Sequence, residues 1–199
     1  MLKRHWLIAG LLAALAVSAA AGFEAGRRYP WEIVDEWLGR NKPALPDGWS
    51  PRATVPVARY EGGSVVAGGK VYIFGGFHDR PLKEITRRGE RPQKALLRLD
   101  VYDPATDRWT RRADMPTATT HRNPVLVGDT VWLVGGFVGN DPGPATADTW
   151  KYDVPTDRWV VGPPLPEARA GGVLLHREGF LHYIGGYSAD RNTSGGEHW

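Results

Sequence analysis

Short apolar runs, each closed by two glycines, alternate with polar turns along most of the chain. The runs at 71–74, 131–134 and 180–184 all end this way. Runs of about four to eight residues bounded by turn residues are typical of buried strands. Glycine pairs end such strands and permit backbone conformations and close approaches that other residues do not. The pattern predicts an all-β fold whose strands end at three pairs: Gly75 and Gly76, Gly135 and Gly136, Gly185 and Gly186.

A second phrase recurs between the glycine pairs and sets the length of the repeat. Trp49, Trp109 and Trp159 are each followed by a proline seven residues later. Tyr102 and Tyr152 lie seven residues before the second and third of these tryptophans. The spacing is 50 residues, with about ten more in the first unit. A period near 50 with paired glycines and spaced aromatic residues indicates a β-propeller with one four-stranded blade per unit.

The second unit shows the predicted order of strands most clearly. A first strand is expected at 123–127, a second at 130–134 and a third at 149–152, and Trp159 opens the fourth. Pro155 lacks the N–H that a ladder needs, so it belongs to the turn before that fourth strand. We expect the rings of Tyr152 and Trp159 to fill the gap between adjacent blades.

These residues resemble Kelch repeats over about 49–199, and the resemblance is to exported proteins of bacterial type. It implies a Kelch-type β-propeller fragment: an orphan outer strand at 49–56, blade one at 60–116, blade two at 120–166 and a partial blade three at 170–199. Residues 197–199 match 148–150, the start of a third strand. In the family an N-terminal outer strand completes the last blade, and six or seven blades are common. We therefore expect a truncated propeller that, without residues 1–23, does not melt cooperatively as a monomer.

The N-terminus predicts export. Lys3 and Arg4 precede an uncharged run at 6–23 that ends in small residues, the order of a signal peptide. The run also reaches the lower limit of a membrane span. Residues 1–23 are thus a signal peptide or a membrane anchor, and 24–46 a spacer with a short helix at 30–40. Either way the propeller is expected outside the cytoplasm, periplasmic or extracellular, with a membrane contact through 1–23 if it is not cleaved.

Composition narrows the chemistry. The chain has no cysteine, which excludes disulfides, cysteine nucleophiles and thiolate metal sites. It also argues against a galactose-oxidase-like member of the Kelch family, which uses a tyrosine crosslinked to cysteine. The net charge of +3 comes without a basic stripe, so no nucleic-acid partner is expected. No histidine or carboxylate spacing predicts a metal site, and no cofactor is expected.

Candidate binding residues lie in the loops. Arg59 and Arg169 both follow a blade tryptophan by ten residues, and Thr119 is the third such position, with His121 and Arg122 beside it. Such arginines can bind the carboxylates of a ligand through two parallel hydrogen bonds, or they can pair with a neighbouring loop of the protein. The long loop at 78–94 carries a group of basic residues that contact an acidic partner or are simply solvated, among them Arg87 and Arg88.

Two functions are consistent with this pattern. The first is a binding module that presents propeller loops to a protein or glycan partner. The second, implied by the Kelch resemblance, is a carbohydrate enzyme similar to a sialic-acid mutarotase-like epimerase. Its acid and base groups would lie at the channel mouth, where Arg59, Arg169, Glu61 and Glu167 are available.

Overall fold

A computed structural model describes residues 48–79, 93–141 and 143–199. Residues 52–199 form one compact unit, and 48–51 belong to the unit before it. The predicted segments 1–23 and 24–46 lie outside the described residues, and no helix within the described ranges is long and apolar enough to cross a bilayer. The strands are β1 Gly63–Ala67, β2 Lys70–Phe74, β3 Phe77–Asp79, β4 Gln93–Ala95, β5 Leu99–Asp103, β6 Arg108–Arg111, β7 Thr119–Thr120, β8 Val125–Val127, β9 Thr130–Val134, β10 Phe137–Val138, β11 Thr149–Asp153, β12 Arg158–Val161, β13 Val173–Arg177 and β14 Phe180–Ile184.

The strands form two four-stranded antiparallel blades and the start of a third, which confirms the all-β prediction. Blade one has the order β1-β2-β5-β6, and blade two has the matching order β8-β9-β11-β12. In blade three β13 pairs with β14, and Ile184 forms a bridge to His198. The amide N–H groups of Tyr183 and Trp199 donate to each other's carbonyl oxygens at 2.9 and 3.0 Å. Residues 197–199 therefore lie where a third strand begins.

The strand boundaries follow the sequence pattern, with small shifts at the inner strands. The predicted second strand at 130–134 is β9 without change. The predicted first strand at 123–127 begins at Val125 instead. Pro124 has no N–H to donate to the ladder, and the Asn123 side chain donates to the carbonyl of Gly172 at 2.7 Å. Asn123 thus connects blade two to blade three rather than extending β8. Residues 49–56 form no strand.

The glycine pairs lie at the joints between blades. Gly75 and Gly135 have φ of 57° and 65°, in the left-handed region. A Cβ on Gly75 would lie 2.3 Å from the carbonyl oxygen of Thr119, and one on Gly135 would lie 2.4 Å from that of Arg169. Both carbonyls belong to the segment that leads into the next blade. Only a residue without a side chain allows this approach, so the glycine pair is what permits one blade to contact the next.

The aromatic pair of blade two fills the joint with blade one, as the sequence predicts. Tyr152 is fully buried, and its ring lies 6.2 Å from that of Tyr72 and 6.1 Å from that of Phe74. The Trp159 ring meets Phe74 edge-on at 6.0 Å. Tilted and edge-on arrangements at these distances add to the stabilisation that burial provides.

An aspartate in the outer hairpin of blade one and of blade two binds the segment that leads into that blade. Asp157 accepts hydrogen bonds from the Tyr152 hydroxyl at 2.7 Å and from the amide of Ala113 at 2.9 Å. Trp159 then donates its indole N–H to the carbonyl oxygen of Ala113 at 3.0 Å. Blade one repeats this clamp on Ala53, with Asp107 accepting at 2.9 Å and Trp109 donating at 2.7 Å. Ala53 thus lies against blade one as Ala113 lies against blade two.

Candidate functional site

Backbone hydrogen bonds link the residues that open the inner strands of the three blades. Glu61, His121 and Gly171 occupy equivalent positions, and all three have positive φ, between 56° and 71°. The His121 amide donates to the carbonyl of Glu61 at 3.2 Å, and the Gly171 amide donates to that of His121 at 3.0 Å. These two hydrogen bonds bring the side chain of Glu61 in blade one beside that of His121 in blade two.

The side chains of Glu61 and His121 face each other across the joint. Their Oε2 and Nε2 atoms are 3.5 Å apart, and His121 Nδ1 lies 2.9 Å from the Thr120 hydroxyl. The His121 ring packs edge-on against Phe137 at 5.0 Å. Burial lowers the pKa of His121, and Arg191 lowers it further while Glu61 opposes the shift. The imidazole is therefore biased toward its neutral form, with a carboxylate beside it.

Arg191 approaches the same place from the loop after blade three's second strand. Its guanidinium lies 3.8 Å from the centre of the Phe137 ring, a cation–π contact. Nη1 donates to the carbonyl of Gly143 at 2.8 Å, and Nη2 lies 3.0 Å from the Asp141 carboxylate. These contacts fix the arginine between the loops of blades two and three.

Two aromatic side chains complete this surface. Tyr60 is 41% exposed and Tyr187 is 48% exposed, and both belong to the loops that carry the polar groups. Tyr187 lies 6.4 Å from Phe137, the ring on which His121 and Arg191 also pack. We call the surface formed by these five side chains the rim: Tyr60, Glu61, His121, Tyr187 and Arg191. It offers aromatic faces, a carboxylate, an imidazole and a guanidinium within one loop surface.

The structure places Arg59 inside blade one. Its side chain is buried, and Nη2 pairs with Asp100, whose side chain is completely buried. Nη1 donates to the carbonyl oxygens of Gly75 and Arg98, each at 3.4 Å. Of the two alternatives predicted for this arginine, internal pairing is the one observed, and its role in ligand binding stays a prediction.

Arg169 occupies the equivalent position in blade three and is also buried. Nη2 lies 2.9 Å from the carboxylate of Glu167 and 3.0 Å from that of Glu197, and the guanidinium packs on the Trp199 ring at 5.3 Å. Hydrogen bonding to Glu197 raises the pKa of the guanidinium. Glu167 and Arg169, two of the four residues considered for acid and base roles at the channel mouth, thus pair with each other.

Arg122 provides the buried arginine of blade two, although it lies three residues beyond the repeat position. Its Nε donates to the carbonyl of Gly135, as Arg59 does to that of Gly75. Nη2 has no hydrogen-bond partner among the described residues, and burial lowers the pKa of the guanidinium to about 10. In blade two the strand position of Asp100 is taken by Trp150, so no buried carboxylate matches this charge.

Of the predicted binding residues, His121 lies in the rim, whereas Arg59, Arg122 and Arg169 are buried. Arg87 and Arg88 lie outside the described residues. The sequence did not single out Tyr60, Tyr187 or Arg191. The residue after each glycine pair is aromatic in all three units, at Phe77, Phe137 and Tyr187, and this signal would have located two of the rim's packing positions.

No group of three or more histidine and carboxylate side chains in the described ranges is arranged to hold a metal ion. The side chains of the rim can form hydrogen bonds and stack on the rings of a ligand. A four-stranded blade repeated with aromatic and glycine joints defines the class of β-propellers.

Comparison with known proteins identifies the family within that class. Two Kelch motifs match residues 58–116 and 118–166 and together cover more than half of the chain. The chain therefore belongs to the Kelch-repeat proteins. A solved structure described as that of YjhT superimposes on 70% of the chain, with a TM-score of 0.52 and 21% identity. At this identity the match shows the fold alone.

Among curated relatives, beta-scruin of Limulus polyphemus is 30% identical over 63% of the chain. The Kelch-like protein terF of Aspergillus terreus is 31% identical over 69%. The human Kelch repeat and BTB domain-containing protein 12 is 27% identical over 73%. The aligned region spans only 13%, 30% and 25% of these proteins, respectively.

Proposed function

We propose that this Kelch-repeat chain is a binding module that presents the rim to a protein or glycan partner. Kelch repeats typically serve as interaction modules. The observation that carries the proposal is the rim itself, where Glu61, His121 and Arg191 are partly exposed beside Tyr60 and Tyr187. Aromatic faces stack on the apolar faces of sugars or peptide side chains, while the polar groups fix orientation by hydrogen bonds.

Rim substitutions test this proposal against a panel of neutral and acidic oligosaccharides and immobilised peptides. We expect His121→Ala and Tyr187→Ala to weaken binding about tenfold or more, because each removes a central contact group. Lys70→Ala is the matched control, since Lys70 lies at the opposite end of blade one and pairs with Asp103 at 2.9 Å. Equal affinity of the rim variants and the control for a bound probe would contradict the rim as the binding surface.

The proposal includes export, with residues 1–23 as a cleaved signal or a membrane anchor. The basic, apolar and small-residue order of this segment supports it. N-terminal sequencing of the mature protein distinguishes cleavage from anchoring. Retention of the intact chain in the cytoplasm, protected from protease added to whole cells, would contradict export.

A mutarotase-like epimerase is the second candidate, and the contact between Glu61 and His121 favours it. A carboxylate 3.5 Å from an imidazole of lowered pKa supplies the two groups that acid–base catalysis needs. The test follows the interconversion of sugar anomers by NMR with the purified chain. Acceleration that His121→Asn abolishes would support the enzyme, and no acceleration for any acidic or neutral sugar would refute it.

A further inference from the structure

A polar cleft opens in the joint between blades one and two, at the end of the blades away from the rim. Its volume is about 370 Å³. Three basic side chains, one carboxylate and two hydroxyls line it: Lys70, Arg108, Arg112, Asp103, Thr106 and Thr110. Lys70 begins β2, whereas Gly76, which lies against Tyr60 of the rim, follows the other end of that strand. The cleft is thus a second surface, separate from the rim.

The strand register places the cleft on the face of blade one that turns toward blade two. Val101, which forms its floor, lies directly opposite Tyr72 on one side and Thr110 on the other. Side chains directly opposite one another in a sheet share a face. That face contacts blade two through Tyr72, whose ring lies 6.2 Å from that of Tyr152. The cleft therefore lies in the joint between two blades whose four strands are all described.

Two arginines of the outer strand supply the positive charge of the cleft. Arg108 and Thr110 belong to β6, and the Arg112 amide continues the ladder by donating to the carbonyl of Leu99 at 3.0 Å. Residues two and four apart in a strand lie on one face, so both guanidinium groups flank Thr110. Arg108 has no ion pair within the described ranges. The Arg112 side chain is 41% exposed, with the Asp157 carboxylate of blade two 4.0 Å away. Both guanidinium groups are therefore available to a ligand.

The other charged groups at the cleft do not neutralise these arginines. Lys70 and Asp103 form an ion pair at 2.9 Å, so the charge of each is already matched. The Asp157 carboxylate accepts hydrogen bonds from a tyrosine hydroxyl and a backbone amide of the joint. The hydroxyls of Thr106 and Thr110 add neutral donors. The cleft therefore offers hydrogen-bond donors and an excess of positive charge.

Blade two does not repeat this set of side chains. At four matching positions blade one has Lys70, Arg108, Thr110 and Arg112, and blade two has Thr130, Arg158, Val160 and Gly162. Three cations in one blade thus correspond to one cation in the other. Both blades form the same four-stranded sheet, so the fold does not require the two additional cations. Their position around one cleft indicates a binding role.

We propose that this cleft binds the phosphate or sulfate group of a small ester, such as a sugar phosphate or a sugar sulfate. Guanidinium groups bind the oxygens of such anions through parallel, charge-assisted hydrogen bonds. Arg108 and Arg112 supply these bonds, and the Thr110 hydroxyl donates to a further oxygen. The volume lies within the range of small-molecule sites, about 300–1,000 Å³, and leaves room beside the anion for the body of the ester. This site is additional to the rim and does not depend on the function proposed for it.

Calorimetric titration of the full chain at low salt tests the proposal with glucose 6-phosphate, glucose 6-sulfate, inorganic phosphate and inorganic sulfate. We expect each ester to bind more tightly than the matching inorganic anion. Arg108→Gln and Arg112→Gln should each weaken ester binding about tenfold or more, because each removes a charged donor. Thr110→Val, which introduces the side chain that blade two has at this position, should weaken it about threefold.

Arg158→Gln is the matched control, because it removes the same exposed charge from the equivalent position of blade two, outside the cleft. It should leave the affinity for both esters unchanged, and circular dichroism should show the same strand content for all variants. An equal loss of affinity in Arg158→Gln would show a response to overall charge and would overturn the proposal. Ester affinities that Arg108→Gln and Arg112→Gln leave unchanged, inorganic anions that bind as tightly as the esters, or a native chain that binds neither ester overturn it as well.

Discussion

At the scale of single residues, a buried arginine lies at the inner end of every blade, but its charge is compensated differently in each. Arg59 pairs with the buried Asp100, and Arg169 pairs with the carboxylates of Glu167 and Glu197. Among the described residues, the Arg122 guanidinium donates to the carbonyl oxygen of Gly135, and its Nη2 has no partner. An isolated buried charge is expensive, whereas a paired one becomes expensive only when its partner is removed. Replacing the arginine by an uncharged residue should therefore lower the free energy of unfolding by different amounts at these three positions.

We expect Arg59→Met to destabilise the chain more than Arg122→Met. Removing Arg59 leaves the Asp100 carboxylate buried with Arg98 as its remaining partner, a loss of about 3 kcal/mol. Removing Arg122 leaves one carbonyl without a donor but also removes a buried charge that has no ion pair among the described residues, so the net loss is about 1 kcal/mol or less. Urea unfolding of both variants measures the difference, and equal losses would contradict it.

The lowered pKa of His121 makes stability depend on pH. Because burial depresses this pKa in the folded chain, the unfolded chain binds more protons. Stability is therefore retained above the ordinary histidine pKa of about 6.5 and falls as the pH drops below it. His121→Asn, which suits a positive φ, should remove this part of the decrease. Melting curves of both proteins between pH 8 and pH 5 check it, and parallel decreases would refute the assignment.

At the scale of strands and loops, most of the architecture can be predicted from the sequence, because most strands are marked by a local sequence pattern. The glycine pairs and the Tyr–Trp spacing locate the second, third and outer strands, and three residues at 197–199 suffice to locate the start of another. These signals are strong because they encode contacts that every blade repeats. Where a contact is not repeated, as at Asn123 bonding to Gly172, the predicted boundary is wrong.

The rim is harder to predict from the sequence, because several of its contacts are not repeated from blade to blade. His121 is identified by its place beside a repeat position, but Arg191 comes from a loop whose contacts with Phe137 and Asp141 are not repeated by the described residues of blades one and two. Arg122 takes the place of an arginine expected three residues earlier, where the chain has Thr119. Its role depends on the path of the side chain to Gly135, which spacing along the sequence does not determine.

The glycine joint gives a prediction at this scale. Gly135→Ala places a Cβ 2.4 Å from the carbonyl of Arg169, in addition to the cost of a positive φ. Gly128→Ala has a similar φ, 59°, but no atom within 4 Å of the new Cβ. Gly128→Ala should cost about 1 kcal/mol, and Gly135→Ala about 1–3 kcal/mol more. Thermal and urea unfolding compare the pair, and equal losses would show that the blades separate at this joint without penalty.

At the scale of the whole molecule, the number of joints decides how firmly the blades hold together. In repeat proteins stability is roughly the sum of each unit's own stability and its contacts with neighbours. The described residues form joints between blades one and two and between blades two and three. With two joints holding these three units, the described blades should separate in steps rather than unfold together.

We expect the chain without residues 1–23 to unfold over a broad temperature range at concentrations where it is monomeric. Scanning calorimetry over a hundredfold range of concentration makes the measurement. A sharp two-state transition in a monomeric sample would contradict this expectation and show that the described blades unfold as one cooperative unit.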